Sequence, residues 1–327
     1  MSWLLGIFRN SSSVQQLKTC QSKIIKIFWV ILVAVAALFM IYKTIVDWNQ
    51  IQNIRWHFHP HLLLVSFGVY SISLLLTACR WALIIRHISG VKIFWEHVRI
   101  FCLTNLSQRL PTLLPYLAAR TEAYVDLGVP RGITLTAMAL EVVVTLLGAT
   151  LVTSLALFLG VFSLREHFAL LLSGLLLSTM MIVMFPQRFI FVVNKALIYL
   201  KKPSIDSVIN VRHTVSWTGL SMIIWVNSGV LYYFLILGFC EIRPEKIPFL
   251  ISVSALSGLA GWLGQLIFLP TIAVRQLALA YLISLDFPMP IAIAFALFSR
   301  VYVMILELIW AGIWMIMPRR IILSHHR

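Results

Sequence analysis

Seven ionisable side chains interrupt stretches that are otherwise apolar: Arg80, Arg120, Glu122, Glu141, Arg275, Arg300 and Glu307. Placing an arginine or a carboxylate at the centre of a membrane helix costs about 2.5–3.5 kcal/mol on insertion scales. Each of these groups therefore needs an opposite charge or a water-filled cavity. Arginines outnumber glutamates, and none of the seven is lysine. The planar guanidinium fork matches the oxygens of a phosphate in a bidentate way that a lysine ammonium cannot. The chemistry this set suits is binding of an anionic group such as a lipid phosphate. The competing reading is that the charges only pair with one another and hold a helix bundle together, with Glu141 and Arg300 as the obvious pair. Arg120 and Arg275 favour the binding reading, because each follows a proline in a broken helix. Arg80 has the further option of snorkelling to the interface. Glu307, nearer a span exit, reads as structural.

Other chemistries find less support. His57, His59 and His61 are spaced as ligands on an extended strand would be, but no carboxylate or cysteine joins them. Cys20, Cys79, Cys102 and Cys240 show no CxxC spacing. There is no ordered Ser/His/Asp set and no phosphate-cradling glycine loop. No cofactor or metal is expected, and ATP is not a fuel for this chain alone. Gly258, Gly261 and Gly264 read as points of close helix packing.

The elements that must position these residues follow from composition. The chain has 327 residues, 61% hydrophobic and only 11% charged, with a mean hydropathy of +0.95. Soluble domains carry about 25% charged residues. A soluble enzyme, a nucleic-acid-binding domain and a disordered tail are excluded, leaving an all-α polytopic membrane protein. Its apolar runs exceed the roughly 20 residues that cross a bilayer. Full spans are expected at about 27–46, 61–85, 132–162, 167–185, 215–239 and 290–317. Residues 93–130 and 248–289 are apolar but broken by prolines and charges. They read as two re-entrant hairpins, with a spanning broken helix as the alternative for the first. The net charge is +15. Basic residues cluster in 1–26, in 187–213 (part of which could lie in the interface as an amphipathic helix) and in the tail 319–327. The positive-inside rule puts these segments and both termini in the cytoplasm, on a single transmembrane domain over 27–318. The first apolar stretch lacks a small-residue cleavage site and reads as an anchor.

The two broken regions resemble each other. The first runs Pro115, Arg120, Ala123, Tyr124 and Pro130, then a span carrying Glu141; the second runs Pro270, Arg275, Ala278, Tyr281 and Pro288, then a span carrying Arg300. Charge counting opens the first hairpin to the cytoplasm and the second to the outside. That pattern predicts an inverted repeat with halves at about 61–162 and 215–317. Secondary transporters built this way place their site near the midplane, where broken helices meet.

Over residues 60–317 the chain resembles the transmembrane, flippase-like domain of lysylphosphatidylglycerol synthases and their stand-alone relatives. The carriers are Arg80-Trp81, Asn105-Leu106-Ser107-Gln108, Pro115, Gly128-Val129-Pro130 and Glu141, and then Pro270, Arg275 and Arg300. The chain departs from the family pattern in several places. Tyr116, Ala119, Thr271 and Ala273 replace motif glycines. Arg120 stands at the first motif glutamate, with Glu122 two residues on, and Gln276 stands at the second. No aminoacyltransferase domain accompanies the membrane part. The resemblance implies an inner-membrane flippase or transporter that moves a phospholipid or a lipid-linked anionic headgroup by alternating access. The substrate-binding set is then Arg80, Arg120, Glu122, Glu141, Arg275, Gln276 and Arg300. The alternatives are a non-transporting partner of a membrane lipid or polysaccharide synthase, and an intramembrane transferase with Glu122 or Glu141 as base.

Overall fold

A computed structural model describes residues 58–109, 113–158, 210–266 and 271–317, with Tyr42, Gln187, Phe191 and Lys195 as isolated positions. The expected spans at 27–46 and 167–185, the basic N-terminal segment, most of 187–213 and the tail 319–327 lie outside the described residues. Among those described there is no strand.

Among the described residues eight α-helices carry the fold. They are α1 (Pro60–Ser89), α2 (Phe94–Asn105), α3 (Leu113–Val125), α4 (Arg131–Phe158), α5 (Val211–Leu237), α6 (Ile247–Leu266), α7 (Thr271–Ile283) and α8 (Met289–Ile316). The prolines sit where helices tolerate them. Pro60 opens α1, Pro115 lies in the first turn of α3, and Pro248 and Pro290 are second residues of α6 and α8. At those positions the missing N–H has no helical acceptor to lose. Left-handed glycines close two helices. Gly90, at φ 73°, caps α1 and donates to the Arg86 carbonyl. Gly128, at φ 77°, ends the turn after α3, where the Val129 N–H reaches back to the Tyr124 carbonyl at 3.0 Å.

Among the described residues five segments are long and apolar enough to cross a membrane: Pro60–Ser89, Arg131–Ala156, Val211–Leu237, Pro244–Gly264 and Met289–Ile316. Four coincide with expected full spans. The fifth, α6, falls in the second broken region. The sequence there carries no proline between Pro248 and Pro270, so the helix runs for 20 residues before it breaks. By contrast α2, α3 and α7, with 12, 13 and 13 residues, reach only about 18–20 Å and cannot cross a hydrocarbon core of about 30 Å.

The direction of each element is fixed by contacts at its ends. The His59 N–H donates to the Gly238 carbonyl at 3.0 Å, and the His87 and His213 rings meet at a tilt with centroids 4.1 Å apart. α1 and α5 are therefore antiparallel along their full lengths. His97, near the start of α2, hydrogen-bonds Tyr124, near the end of α3, at 3.0 Å. The Trp81 indole donates to the same phenol at 2.8 Å. Both outer ends of the α2–α3 pair thus lie toward the C-terminal end of α1. Lys246, just before α6, pairs with Asp286, just after α7, at 2.6 Å. The α6–α7 pair has its outer ends toward the C-terminal end of α5, which is the opposite end of the bundle.

Small residues allow the helices to approach. A Cβ on Gly148 would strike Ser221, one on Gly229 would strike the Ile251 backbone, and one on Gly258 would strike the Trp225 ring. α5 is thereby seated between α4 and α6, as close-packed membrane helices require. Gly264 likewise receives the Val274 side chain where α6 meets α7.

Candidate functional site

The site grows outward from Glu141, in the middle of α4. Its carboxylate is almost wholly buried and is met by three side chains from two helices. Arg120 of α3 donates from Nη1 to Oε2 at 2.8 Å. Arg80 of α1 brings Nη2 to within 3.5 Å of Oε1. The Tyr116 hydroxyl donates to Oε2 over a longer 3.4 Å. An ion held at this depth survives only with such partners, because the loss of hydration costs several kcal/mol per charge.

Arg120 is held from every side. Its guanidinium carbon lies 4.4 Å from the Trp81 ring centroid, 4.6 Å from that of Phe101 and 4.5 Å from that of Tyr116. Its Nε donates to Thr104 Oγ1 at 3.2 Å, and the side chain is 0% exposed. Three aromatic faces present their negative quadrupoles to the cation in a dry setting, where that attraction is strongest. Arg80 is nearly as buried and donates from Nη1 to Ser221 Oγ at 2.6 Å.

In front of this core lies a cavity of about 210 Å³, lined by α1, α2, α3, α4, α5, α6, α7 and α8. Five of the expected site residues line it: Arg80, Glu141, Arg275, Gln276 and Arg300. The charged groups on its wall are three arginines and two glutamates, the second glutamate being Glu307. Asn105 donates to Glu307 Oε1 at 2.8 Å. Arg275 is only half-buried, and its Nη2 reaches the Tyr232 hydroxyl at 3.5 Å. Gln276 Oε1 is buried with no hydrogen-bond partner among the described residues. The space holds several waters or a compact polar headgroup.

The other two expected residues stand apart from this wall. Arg120 lies behind Glu141 as its support. Glu122 is exposed on α3 and pairs with Arg131 at 2.8 Å, outside the cavity. Both oxygens of Glu141 are engaged by Arg80 and Arg120, so Arg300 shares a cavity with Glu141 while Arg80 and Arg120 neutralise it. Glu307, read from the sequence as structural, is a cavity residue. It recurs on the face of α8 that carries Arg300 and Val303, a spacing of three and seven residues.

Sequence reasoning also passed over Tyr70, Ser73, Thr77, Tyr116, Tyr232 and Trp262, all on the cavity wall. A signal for the first three was present. Tyr70, Ser73, Thr77 and Arg80 recur at helical spacing and lay one polar stripe along α1. Nothing comparable marked Tyr232 or Trp262, which read as ordinary span aromatics.

On the wall the Tyr116 phenol meets Glu141 Oε2 at 3.4 Å, and that carboxylate is already held by Arg80 and Arg120. Among the described residues no three His, Cys, Asp or Glu side chains come together as a metal site would need. His59 and His61 lie with ring centroids 5.5 Å apart, and His57 lies outside the described residues. What the arrangement can do is attract and orient an anion within a largely apolar bundle. No family model, curated protein or solved structure matches the chain.

Proposed function

We propose that this protein is a multi-pass lipid flippase or transporter, and that the cavity receives the anionic headgroup of a membrane lipid during passage across the bilayer. The carrying observation is that Arg80, Arg275 and Arg300 converge on one cavity whose wall, among the described residues, holds two carboxylates. In low dielectric such an excess draws an anion strongly.

In this reading α2–α3 is a re-entrant hairpin, and α6–α7 is its inverted counterpart whose longer arm α6 reaches across the bilayer while α7 turns back within it, one pair opening at each membrane face. The opposed outer ends of the two pairs support it, as does the repeated Pro-x4-Arg pattern. Arg86, Lys92, Arg131 and Arg212 gather at the end where the first pair opens, against Glu122 and Asp126. The other end carries Glu241, Arg243, Glu245, Lys246 and Asp286, which leave a slight negative excess. The positive-inside rule makes the first end cytoplasmic. The resemblance to the flippase-like domain of lysylphosphatidylglycerol synthases supports the same class. Substitution of its motif glycines and glutamates suits a headgroup of different shape.

Purified protein in liposomes with fluorescent phospholipids tests the reading, with dithionite accessibility followed over time. Headgroup-selective movement is expected, falling at least about tenfold in Arg275→Ala. Absence of movement for every lipid, by protein shown to be folded, overturns transport and favours a partner-subunit role. Equal movement by Arg275→Ala removes that arginine from the mechanism.

A further inference from the structure

A second cavity, also of about 210 Å³, lies where the C-terminal end of α5 meets α7 and α8. Its wall is hydrocarbon: Phe239, Phe287, Phe295 and Phe298, with Ile236 and Ile283 between them. Among the described residues no charged or hydroxyl-bearing side chain lines it.

This cavity is stacked on the charged one. On α5, Tyr232 faces the charged cavity and Ile236, one turn on, faces the apolar one. Those positions are about 6 Å apart along the helix axis. On α7, Arg275 and Ile283 are divided in the same way, about 12 Å apart. Between the cavities stands one aromatic pair, Tyr232 against Phe295, with ring centroids 5.4 Å apart at 89°. Tyr232 is also the contact of Arg275. Ala294, on the rim of the apolar cavity, is exposed and lies on the face of α8 that carries exposed Leu297 and Val301. The apolar cavity therefore opens sideways onto the surface that a membrane would cover.

Building on the headgroup reading above, we infer that the apolar cavity is an acyl-chain subsite: it holds one hydrocarbon tail of the same anionic lipid whose phosphate is drawn to Arg275. The polar and apolar regions are spaced as the glycerol backbone of a phospholipid spaces its phosphate from its chain. A tail leaving the bilayer for this cavity gains no transfer energy, since the surrounding lipid is equally apolar. The subsite therefore works by shape and dispersion contacts. It orients a lipid whose attraction comes from the charged end, and it gives a tail-less phosphate nothing.

The test uses the full-length protein in phosphatidylcholine nanodiscs. One probe is phosphatidic acid with a diazirine at the end of one acyl chain; the control is the same chain on phosphatidylcholine. Mass spectrometry of the photo-adducts is expected to place the phosphatidic acid probe on Phe287 and Phe298. The expected enrichment is about tenfold over both the control probe and Leu297 and Val301. Ala294→Trp, which narrows the rim, should abolish it. A measurement on the unaltered protein stands beside this. Alkylation of Cys240, a wall residue, by a membrane-permeant maleimide should slow about tenfold with phosphatidic acid and not with glycerol 3-phosphate. Adducts spread evenly over Phe298, Leu297 and Val301 would overturn the subsite, as would equal labelling by the two probes. If phosphatidic acid is preferred and Arg275→Gln removes that preference, yet the adducts lie elsewhere, the charged-cavity reading stands and the subsite falls. If no position prefers the anionic probe, both fall.

Discussion

The two proline-broken helix pairs carry matching arginines, yet the structure treats them in opposite ways. Arg120 is 0% exposed, paired at 2.8 Å and enclosed by three aromatic rings. Arg275 is half-buried on the wall of an open cavity, with a phenol 3.5 Å away. The outer ends differ in the same sense. The first pair is closed by a buried chain in which the Trp81 indole donates to the Tyr124 hydroxyl, that hydroxyl donates to His97 Nδ1, and His97 Nε2 donates to the Val91 carbonyl. The second pair is closed by the partly exposed ion pair of Lys246 and Asp286. One Pro-x4-Arg segment is built into the framework while the other keeps its cation facing a space. In the proposed transport cycle the first pair is the fixed half, and the second is the half that meets substrate and has room to move.

The sharpest way to break this comparison is to exchange the roles of the arginines. Arg120→Ala removes the closest partner of Glu141 and empties the aromatic cage. Stranding a buried carboxylate in this way costs about 3–5 kcal/mol. The variant is expected to unfold at markedly lower temperature in detergent, and Arg120→Lys should not rescue it, because an ammonium lacks the planar fork. Arg275→Ala should leave the unfolding temperature close to that of the unaltered protein while transport is lost. If Arg275→Ala were the less stable of the two, the division between framework and site would be wrong.

A subtler contrast concerns the outer end of the first pair. Tyr124→Phe leaves the Trp81 N–H and His97 Nδ1 buried without their shared partner, which costs about 1–3 kcal/mol. Tyr116→Phe removes only the 3.4 Å contact to Glu141 and retains the ring over Arg120. The smaller change is expected to cost about 0.5–1.5 kcal/mol. Thermal unfolding of the two variants side by side tests the order. A reversed order would mean that the hydroxyl on Glu141 holds the hairpin more firmly than the closure at its base.

Much of this architecture is legible in the sequence. The spans at 61–85, 132–162, 215–239 and 290–317 coincide with α1, α4, α5 and α8, because long apolar runs bounded by charge leave few alternatives. Pro111, Pro115 and Pro270 marked the two regions as interrupted for the same backbone reason, and the described helices there form separate pairs, α2 with α3 and α6 with α7. The unequal fate of Arg120 and Arg275 was not. Both stand five residues after a proline in apolar surroundings. What separates them is that Trp81, Phe101 and Tyr116 converge on one of them from three different helices. Such convergence is tertiary and has no local signature. Glu122 misled for a related reason. Its place two residues from Arg120 suggested the site, but a helical turn of about 100° per residue carries it to the exposed face, where Arg131 meets it. The length of α6 was obscured because Pro270 and Arg275 marked the whole of 248–289 as broken, whereas Gly258 and Gly264 admit Trp225 and Val274 as the packing points that the sequence predicts.

The smallest expected effect is the most informative about motion. Lys246 and Asp286 form a pair at 2.6 Å, with side chains 43% and 26% exposed. An exposed pair of this kind contributes about 0–1 kcal/mol. Lys246→Ala should therefore barely change the unfolding temperature. Yet it is a tie between the outer ends of α6 and α7, so its loss should show locally. Amide exchange is expected to quicken in the last turn of α7 and in 284–288 while α2 and α3 keep their protection, since local opening follows the weakest contacts of an element. Equal quickening in both helix pairs would make the bundle one cooperative unit. In that case the difference between the two arginines would be one of exposure alone, with no accompanying difference in freedom to move.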